Sequence, residues 1–394
     1  MLKTNRTIFV VALVAVVNML GYGIVIPVLY AYSKKFGLSD FDNGLLFAAF
    51  SVCQFISTPI IGRLSDKYGR RPMLLVSIAG TAVSFFVMAF APNVAFLYLA
   101  RMLDGLTAGN VPVIFAVISD STEPRERPKA FGIVGSAFSL GFVFGPAISS
   151  LTVGFGEGIP FIIAGIVTVI ATIIAAIYLP ETNTHQAEVP KEKLFDFKKM
   201  WQTLFDPNVG VTFLITLIFF FAFACSIMYG FQPYTMNVLK LSPSQNAMLF
   251  TLFGVVGFLT QNLAVERVTK AWGVKKAFKN SLFFTAVAFL LIFATSSLPI
   301  FIFASILMGF FNSISQTMIP TILSQETDAK SQGSIMGLNS SYQSIGTIFG
   351  PIVGGLVATI STPFPFLLGG LLILVCYFLA SGVMRPGVAK ESAY

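Results

Sequence analysis

Twelve long apolar runs, separated by short polar segments, follow one another along the chain. A helix needs about 20 mostly apolar residues to cross the hydrocarbon core of a membrane. Each run has close to that length, so the pattern predicts an all-α membrane protein with twelve transmembrane helices. The predicted spans cover residues 8–30, 43–61, 73–91, 94–119, 130–153, 159–179, 210–237, 244–265, 277–296, 298–323, 332–360 and 363–384.

Basic residues are unevenly distributed between the two ends of these runs. Of the 25 Lys and Arg residues, only Lys34, Lys35 and Lys240 fall on the side opposite to the N-terminus, and Arg101 lies inside a span. Because Lys and Arg concentrate on the cytoplasmic side of membrane proteins, both termini are expected in the cytoplasm. The pattern predicts a multi-pass protein of the cell inner (cytoplasmic) membrane, and it explains the net charge of +8 without a nucleic-acid partner.

Two segments of the first half recur in the second half. SAFSLGFVFGPAISS at 136–150 matches SYQSIGTIFGPIVGG at 341–355, with its glycines and proline at an offset of 205. GRLSDKYGRRP at 62–72 aligns with ERVTKAWGVKK at 266–276 at an offset of 204. Parallel repeats of this kind are typical of transporters built from two related halves.

The repeat predicts the domain organisation. We expect an N-terminal six-helix bundle over residues 1–180, a cytoplasmic linker over 181–209 and a C-terminal six-helix bundle over 210–394. In the linker, Trp201 and Phe205 are consistent with a short helix lying at the membrane interface. A plain solvated tether is the alternative.

The composition argues against most other classes of protein. Only 11% of the residues are charged, whereas soluble proteins have about 25%. The chain has a single histidine, His185, and no GxxxxGK(S/T) phosphate loop or metal-ligand spacing. A nucleophilic enzyme, a metal or organic cofactor and ATP as the energy source are therefore not expected.

Asp104 is the candidate with the clearest chemistry. Of the 17 Asp and Glu residues, it is the one that falls deep inside a predicted span. A carboxylate at that depth costs roughly 2.5–3.5 kcal/mol on insertion scales and is a functional candidate by default. Arg101 lies three residues earlier on the same helix face. A coupled pair of this kind predicts proton coupling, with a permanent ion pair that only locks the helix as the alternative.

These features together resemble the major facilitator superfamily, and the resemblance covers essentially the whole chain. Arg101, with Gly105 and Gly109, is similar to the arginine motif of its fourth span. The N-terminal half looks closest to tetracycline-resistance-type exporters of the drug:proton antiporter branch. The resemblance implies a substrate cavity between the halves and alternating access. Asn18 stands where tetracycline exporters have an acidic residue, so the proton- and drug-binding role of that acid is not carried over to this chain.

The segment Gly141–Pro146 is similar to the glycine–proline signature associated with the antiporters of this superfamily. Glycines four residues apart permit close helix approach, and proline removes a backbone hydrogen bond. We expect a tight contact that prevents ion leakage, with ordinary small-residue packing as the alternative. The signature residues are Gly141, Gly145 and Pro146.

The loop after the second span carries the most specific motif. The resemblance implies that Asp66 meets the N-terminus of the eleventh span near Ser331–Gly333, and that Arg70 pairs with Asp120, so that the outward-open state is clamped. The alternative is that the basic residues only set the membrane topology by the positive-inside rule, which would not explain the glycines and Asp66. The second copy has Lys270 in place of Asp66. The motif comprises Gly62, Arg63, Asp66, Gly69, Arg70 and Arg71.

Polar side chains recur on single faces of several spans. Because polar groups in lipid are costly, these faces are expected to point inward and to line a cavity. Interhelical hydrogen bonds are the alternative for each residue taken alone. Neighbouring aromatic and Met side chains predict an amphipathic substrate, with aromatic or cationic groups. The candidates are Asn18, Tyr22, Gln54, Tyr229, Gln232, Met236, Asn312, Gln316, Asn339, Tyr342 and Gln343.

The sequence therefore predicts a secondary active transporter. We expect a proton-coupled antiporter that exports hydrophobic or amphipathic small molecules, as in drug efflux, and that works as a monomer in the lipid bilayer with the proton gradient as its energy source. One alternative is an exporter of a single metabolite such as a sugar, lipid or siderophore. Another is a transport-inactive membrane receptor or scaffold.

Overall fold

A computed structural model describes residues 2–123, 125–183, 197–327 and 331–383 of the chain. These residues contain helices and no β-strand, and within them twelve helices are long and apolar enough to cross a membrane. The predicted all-α fold with twelve spans is confirmed. Spans 1 to 12 are, in chain order, Arg6–Lys34, Asp40–Tyr68, Arg70–Ala89, Val94–Ser121, Lys129–Phe155, Ile159–Tyr178, Gly210–Val238, Pro243–Trp272, Val274–Ala294, Leu298–Gln325, Ser334–Ile360 and Phe364–Gly382.

Several spans are interrupted within their length. Span 4 consists of the helices Val94–Thr107 and Val111–Ser121. Span 7 begins as the helix Gly210–Phe223 and continues with two π-helical stretches, Ala224–Gly230 and Tyr234–Val238. Such π-helical turns often mark functional positions. Span 8 contains a third π-helical stretch, Thr260–Ala264.

The linker contributes one short helix to the described residues. This linker helix runs over Phe197–Thr203, and residues 184–196 of the predicted linker lie outside the described residues. Trp201 is 66% exposed and Phe205 is 70% exposed, with their ring centroids 5.3 Å apart. The choice between an interface helix and a solvated tether stays open.

The chain forms two compact units. Unit 1 contains Met1–Ser39, Ala49–Leu194 and Ser242–Thr251, and unit 2 contains the remaining residues. The beginning of span 8 thus belongs to unit 1, where the Asn246 side-chain amide donates to Pro27 O at 2.7 Å. The beginning of span 2, Asp40–Ala48, belongs to unit 2.

The same backbone turn precedes spans 3 and 9. Gly69 has a φ of +104° and directly precedes the helix of span 3, and Gly273 has a φ of +75° before span 9. A positive φ strains residues that have a Cβ atom, so glycine is required in both loops. The two glycines are the matched pair of the sequence repeat.

Candidate functional site

Arg101 and Asp104 form a buried ion pair in span 4. The Arg101 Nη1 atom donates to Asp104 Oδ2 at 3.1 Å. Arg101 is 2% exposed and Asp104 is 8% exposed, and the guanidinium lies 4.3 Å from the centroid of the Phe50 ring. A buried pair is stable only when both partners are present, because removing one leaves an unpaired charge. The structure therefore brings the two predicted residues together on unit 1.

Span 2 packs directly against this pair. Ser57 Oγ donates to Gly105 O at 3.0 Å, and a Cβ atom added at Gly105 would lie 2.8 Å from Cys53 Cβ. A Cβ atom at Gly109 would lie 2.6 Å from Ser57 Oγ. The two glycines predicted to accompany Arg101 therefore permit close packing between spans 2 and 4.

A chain of polar side chains links spans 1, 3 and 4 beside the ion pair. Asn18 Nδ2 donates to Asn110 Oδ1 at 2.7 Å, and Asn110 Nδ2 donates to Ser77 Oγ at 2.7 Å. Ser77 Oγ donates to Thr107 O, and the Thr107 and Thr81 hydroxyl oxygens lie 3.1 Å apart. Thr107 Oγ1 also donates to the backbone oxygen of Asp104 at 3.1 Å. This arrangement makes Asn18 part of a structural network.

Asn110, Ser77 and Thr107 are site residues that sequence reasoning missed. Asn110 is fully buried at the break between the two helices of span 4. The sequence did contain a signal for Asn110, because it is a polar residue directly after Gly109 in a predicted span and a buried amide needs hydrogen-bond partners.

Tyr22 and Gln54, the other two cavity candidates of unit 1, lie around the same pair. The Tyr22 ring packs against Phe50 with the centroids 5.8 Å apart, so Phe50 contacts both Tyr22 and Arg101. Gln54 Nε2 donates to Ala108 O at 3.5 Å, where the first helix of span 4 ends. The candidates Asn18, Tyr22 and Gln54 thus surround one region of unit 1.

The loop motif is organised around Arg70. Its guanidinium pairs with Asp66 and, through Nε, with Asp120 Oδ2 at 3.2 Å. It also donates to Ser65 Oγ at 2.7 Å. Arg71 donates through Nη2 to Ala176 O at 2.6 Å, at the end of span 6. The arginines therefore tie the ends of spans 2, 4 and 6 to the start of span 3.

Glu181 completes this network, and sequence reasoning missed it. Its carboxylate accepts the backbone N–H of Arg70 at 2.9 Å and that of Arg71 at 3.1 Å. It occupies the space beside Gly69 that a Cβ atom would fill. Asn183 Nδ2 donates to Asp66 O at 2.7 Å. No local pattern signals an acid that caps a helix more than 100 residues away.

Gly62 and Arg63 are the remaining residues of the loop motif. A Cβ atom at Gly62 would meet no atom within 4 Å in the described residues. Arg63 is half-buried. The implied contact of Asp66 with the start of span 11 stays a prediction.

The glycine–proline signature lies against the backbone of span 1. A Cβ atom at Gly141 would collide with Val16 O, and one at Gly145 would lie 2.6 Å from Leu20 O. Conversely, a Cβ atom at Gly23 would lie 2.9 Å from Pro146 Cδ. The signature therefore forms a close helix–helix contact, and its expected role in preventing ion leakage stays a prediction.

The second copy of the signature makes the equivalent contact in unit 2. A Cβ atom at Gly346 would lie 2.7 Å from Phe221 N, and one at Gly350 would lie 2.6 Å from Phe221 O. Spans 7 and 11 thus pack as spans 1 and 5 do. The motif is a repeated packing device in both halves.

Two cavity candidates of unit 2 hold span 11 to its neighbours. Tyr342, which is 2% exposed, donates through its hydroxyl to Met200 O of the linker helix. Its ring packs on Phe213 with the centroids 4.8 Å apart. Thr216 Oγ1 donates to Asn339 Oδ1 at 3.1 Å. Both contacts fit the alternative of interhelical hydrogen bonding.

The other candidates of unit 2 differ in exposure. Tyr229 and Gln232 are fully buried in the irregular part of span 7. Asn312 is 2% exposed in span 10. The half-buried candidates are Met236, Gln316 and Gln343.

No group of three or more His, Cys, Asp or Glu side chains within the described ranges could hold a metal ion. The contacts observed at the site are ionic and hydrogen-bonding. The Arg101–Asp104 ion pair lies in span 4, and the amides of Asn18 and Asn110 and the hydroxyl of Ser77 form hydrogen bonds between spans 1, 3 and 4.

Comparisons with known proteins agree with this architecture. The model of the Major Facilitator Superfamily matches residues 11–234 and 212–393. The chain is 30% identical to multidrug resistance protein 1 of Bacillus subtilis, over 99% of both chains. It is 28% identical to the class H tetracycline resistance protein of Pasteurella multocida, over 91% of both. It is also 28% identical to the quinolone resistance protein NorA of Staphylococcus aureus, over 98% of this chain and 95% of NorA.

Solved structures show the same fold at lower identity. The human organic anion transporter MFSD10 (TETRAN) superposes with a TM-score of 0.71 at 22% identity, covering 96% of this chain and 99% of the other. The nucleoside transporter NupG superposes with a TM-score of 0.81 at 12% identity, covering 96% and 100%. Given its twelve spans, its repeated halves and these matches, the chain is a membrane transport protein that belongs to the Major Facilitator Superfamily.

Proposed function

We propose that the protein is a proton-coupled antiporter that exports hydrophobic or amphipathic small molecules by alternating access. The observation that carries the proposal is the buried pair of Arg101 and Asp104. Burying an acid at this depth is energetically costly, so such a residue is a functional candidate by default. Protons and the exported molecule are the proposed partners, and the protein acts as a monomer.

The geometry supports a coupling mechanism. When Asp104 binds a proton, it loses its charge, and the Arg101 guanidinium 3.1 Å away loses its counter-ion. An unpaired buried cation is strongly unfavourable. The protonated and deprotonated states therefore favour different arrangements of span 4 and its neighbours, so proton binding is linked to conformation.

The relatives support the class of substrate. The names of the proteins that are about 30% identical refer to multidrug, quinolone and tetracycline resistance. Those names suggest amphipathic organic compounds as the cargo of this chain. The Asn18–Asn110 hydrogen bond engages the residue that stands in place of the acid of tetracycline exporters, so tetracycline is not the proposed substrate.

The loop network supplies the proposed conformational control. Arg70 joins Asp66 and Asp120, at the ends of spans 2 and 4. Charge-assisted hydrogen bonds are about twice as strong as neutral ones and hold such ends in a defined geometry. We place this network on the cytoplasmic side, with both termini, because basic residues concentrate there.

The proposal is tested by transport in proteoliposomes with an imposed pH gradient. We expect the wild-type protein to move ethidium against its gradient, and the movement to stop when the pH gradient is collapsed. Asp104→Asn should bind ethidium but lose pH-driven transport, because an amide cannot bind and release the proton.

Glu157→Gln is the matched control. Glu157 pairs with Lys35 at 3.3 Å outside the spans, so its loss should leave pH-driven transport intact. Unaltered pH-driven transport by Asp104→Asn would remove the proton carrier from the proposal. Ethidium movement that ignores the pH gradient would refute antiport, and transport of only one metabolite from a broad panel would replace drug export with metabolite export.

A further inference from the structure

Unit 2 contains an uncharged copy of the site around Arg101 and Asp104. Residues of spans 3 and 4 recur 204 positions later in spans 9 and 10, with Ser305 in place of Arg101 and Met308 in place of Asp104. Arg101 is 2% exposed and Ser305 is 6% exposed, so both copies are buried. The identical pairs are Ser77 and Ser281, Thr81 and Thr285, Ala100 and Ala304, and Gly105 and Gly309.

The matched serines Ser77 and Ser281 each hydrogen-bond to the next span, although Ile314 stands at the position of Asn110 and the partner of Ser281 is Ser315. Ser77 Oγ accepts from Asn110 at 2.7 Å in unit 1, and Ser281 and Ser315 share a hydrogen bond of 2.7 Å in unit 2. This second bond fixes the level of span 9 against span 10. One helical turn further along span 9, Thr285 lies level with Asn312 of span 10.

Three polar atoms of this copy lack hydrogen-bond partners in the described part of the chain. They are Ser305 Oγ, Asn312 Oδ1 and Thr285 Oγ1. Asn312 is 2% exposed and Thr285 is fully buried. Buried polar atoms are nearly always paired, with protein, water or ligand. Their combined lack of partners indicates a place where another molecule supplies the hydrogen bonds.

Ser305 and Asn312 lie on one face of span 10. They are seven residues apart, which corresponds to two helical turns and about 10 Å. Met308 lies between them on that face and offers an adaptable apolar contact. The face therefore alternates polar and apolar groups over the length of a small organic molecule.

Spans 7 to 12 are otherwise uncharged along most of their length. Their charged residues lie near the loop that joins spans 8 and 9, from Glu266 to Lys279. The polar groups at the level of Asn312 are thus neutral, in contrast to the charged pair of unit 1.

We propose that Ser305 and Asn312 form a neutral hydrogen-bonding site for two separate N–H groups of an amphipathic small molecule. This inference rests on the proposed export function and adds the chemical class that unit 2 recognises. Amines and amides that donate hydrogen bonds are preferred over equally lipophilic compounds without donors. In this proposal Asp104, paired with Arg101 in unit 1, binds and releases the proton, and span 10 contacts the exported molecule.

Two lipophilic cations provide the test. Ethidium has aromatic amino groups that donate hydrogen bonds, whereas tetraphenylphosphonium has none. We expect Asn312→Ala to weaken ethidium binding and raise its KM about three- to tenfold, the loss of one hydrogen bond. Tetraphenylphosphonium should change less than about twofold, since it makes no such bond. Ser305→Ala should show the same selectivity.

Ser315→Ala is the matched control, because Ser315 lies on span 10 but is already paired with Ser281. It should affect both cations equally or not at all. Equal losses for both cations in Asn312→Ala, or no loss for either, would overturn the proposal.

Equilibrium binding to the purified protein separates this proposal from the proposed function. If ethidium binds with the expected selectivity but is not transported, the site stands and the proton-driven export fails. If ethidium is exported and its binding is insensitive to Asn312→Ala and Ser305→Ala, the site fails and export stands. If wild-type protein does not bind ethidium, the site fails as well.

Discussion

The carboxylate of Glu181 caps the helix of span 3 by accepting the backbone N–H of Arg70 at 2.9 Å. A negative charge is favourable at the N-terminus of a helix, where the N–H groups have no intrahelical partner. The cap therefore joins the end of span 6 to the loop motif. It makes the first residue after Pro180 part of the same network as Asp66 and Asp120.

Removal of this cap should destabilise unit 1. We expect Glu181→Ala to lower the free energy of unfolding by about 1 kcal/mol, the usual cost of a lost N-cap. Thermal unfolding in detergent measures the change. Glu123→Ala is the control, since Glu123 is an exposed acid near the end of span 4. Equal melting temperatures for the two variants would contradict the cap.

Substitution by alanine should affect protein stability differently at the two glycines of the loop motif. Gly69→Ala strains a φ of +104° and collides with the Glu181 carboxylate, so we expect a loss of about 1–3 kcal/mol. Gly62→Ala adds a Cβ atom that meets nothing within 4 Å and should be neutral or slightly stabilising. Thermal unfolding of both variants measures the two losses of stability. A lower melting temperature for Gly62→Ala than for Gly69→Ala would contradict this prediction.

Close packing of spans 1 and 5 gives a third prediction. Gly141→Ala places a Cβ atom against Val16 O and should cost about 1–3 kcal/mol through overpacking. Gly135→Ala, on the same span, meets nothing within 4 Å and serves as the control. Yield of folded protein and melting temperature are the readouts. If the two variants behave alike, the contact with span 1 is not as tight as described.

The sequence predicts the fold well because membrane insertion leaves few choices. Twelve apolar runs can only form helices in lipid, and the ends of those helices follow from polar breaks such as that at Gly69. The Arg101–Asp104 pair was predictable for a similar reason, since a charge in an apolar run needs a partner and Arg101 is one turn away. Local spacing was sufficient for both.

Partners that are distant in sequence could not be predicted. Asn110 joins Asn18 to Ser77 only because spans 1, 3 and 4 meet in space. Tyr342 shares a helix face with other polar residues, and its hydroxyl bonds to Met200 O, which no periodicity reveals. One-dimensional patterns identify which faces are polar but not what each polar group contacts.

Asn110 offers a fourth prediction. Asn110→Ala removes both hydrogen bonds of a fully buried amide and leaves the Asn18 amide without this partner. We expect a loss of about 1–3 kcal/mol in the free energy of unfolding. Asn208→Ala, at an exposed loop position, should cause no comparable loss. Similar unfolding curves for both would show that the polar chain contributes nothing.

The linker helix can be tested by fluorescence, because the chain has only two tryptophans. In a Trp272→Phe protein, all tryptophan emission comes from Trp201, which is 66% exposed. If the helix lies at the membrane interface, lipids brominated near the headgroup should quench this emission more than lipids brominated near the chain ends. Quenching by aqueous iodide alone would support the solvated tether.

The paired turns at Gly69 and Gly273 have a consequence for how the two halves differ. Both loops contain a glycine with a positive φ, yet the residue three positions before that glycine is Asp66 in the first loop and Lys270 in the second. The glycine turn is repeated in the two loops, whereas the charged side chains beside it differ. The charge asymmetry between the two loops therefore resides in a few side chains, and exchanging them between loops would reverse it while leaving the glycine turns in place.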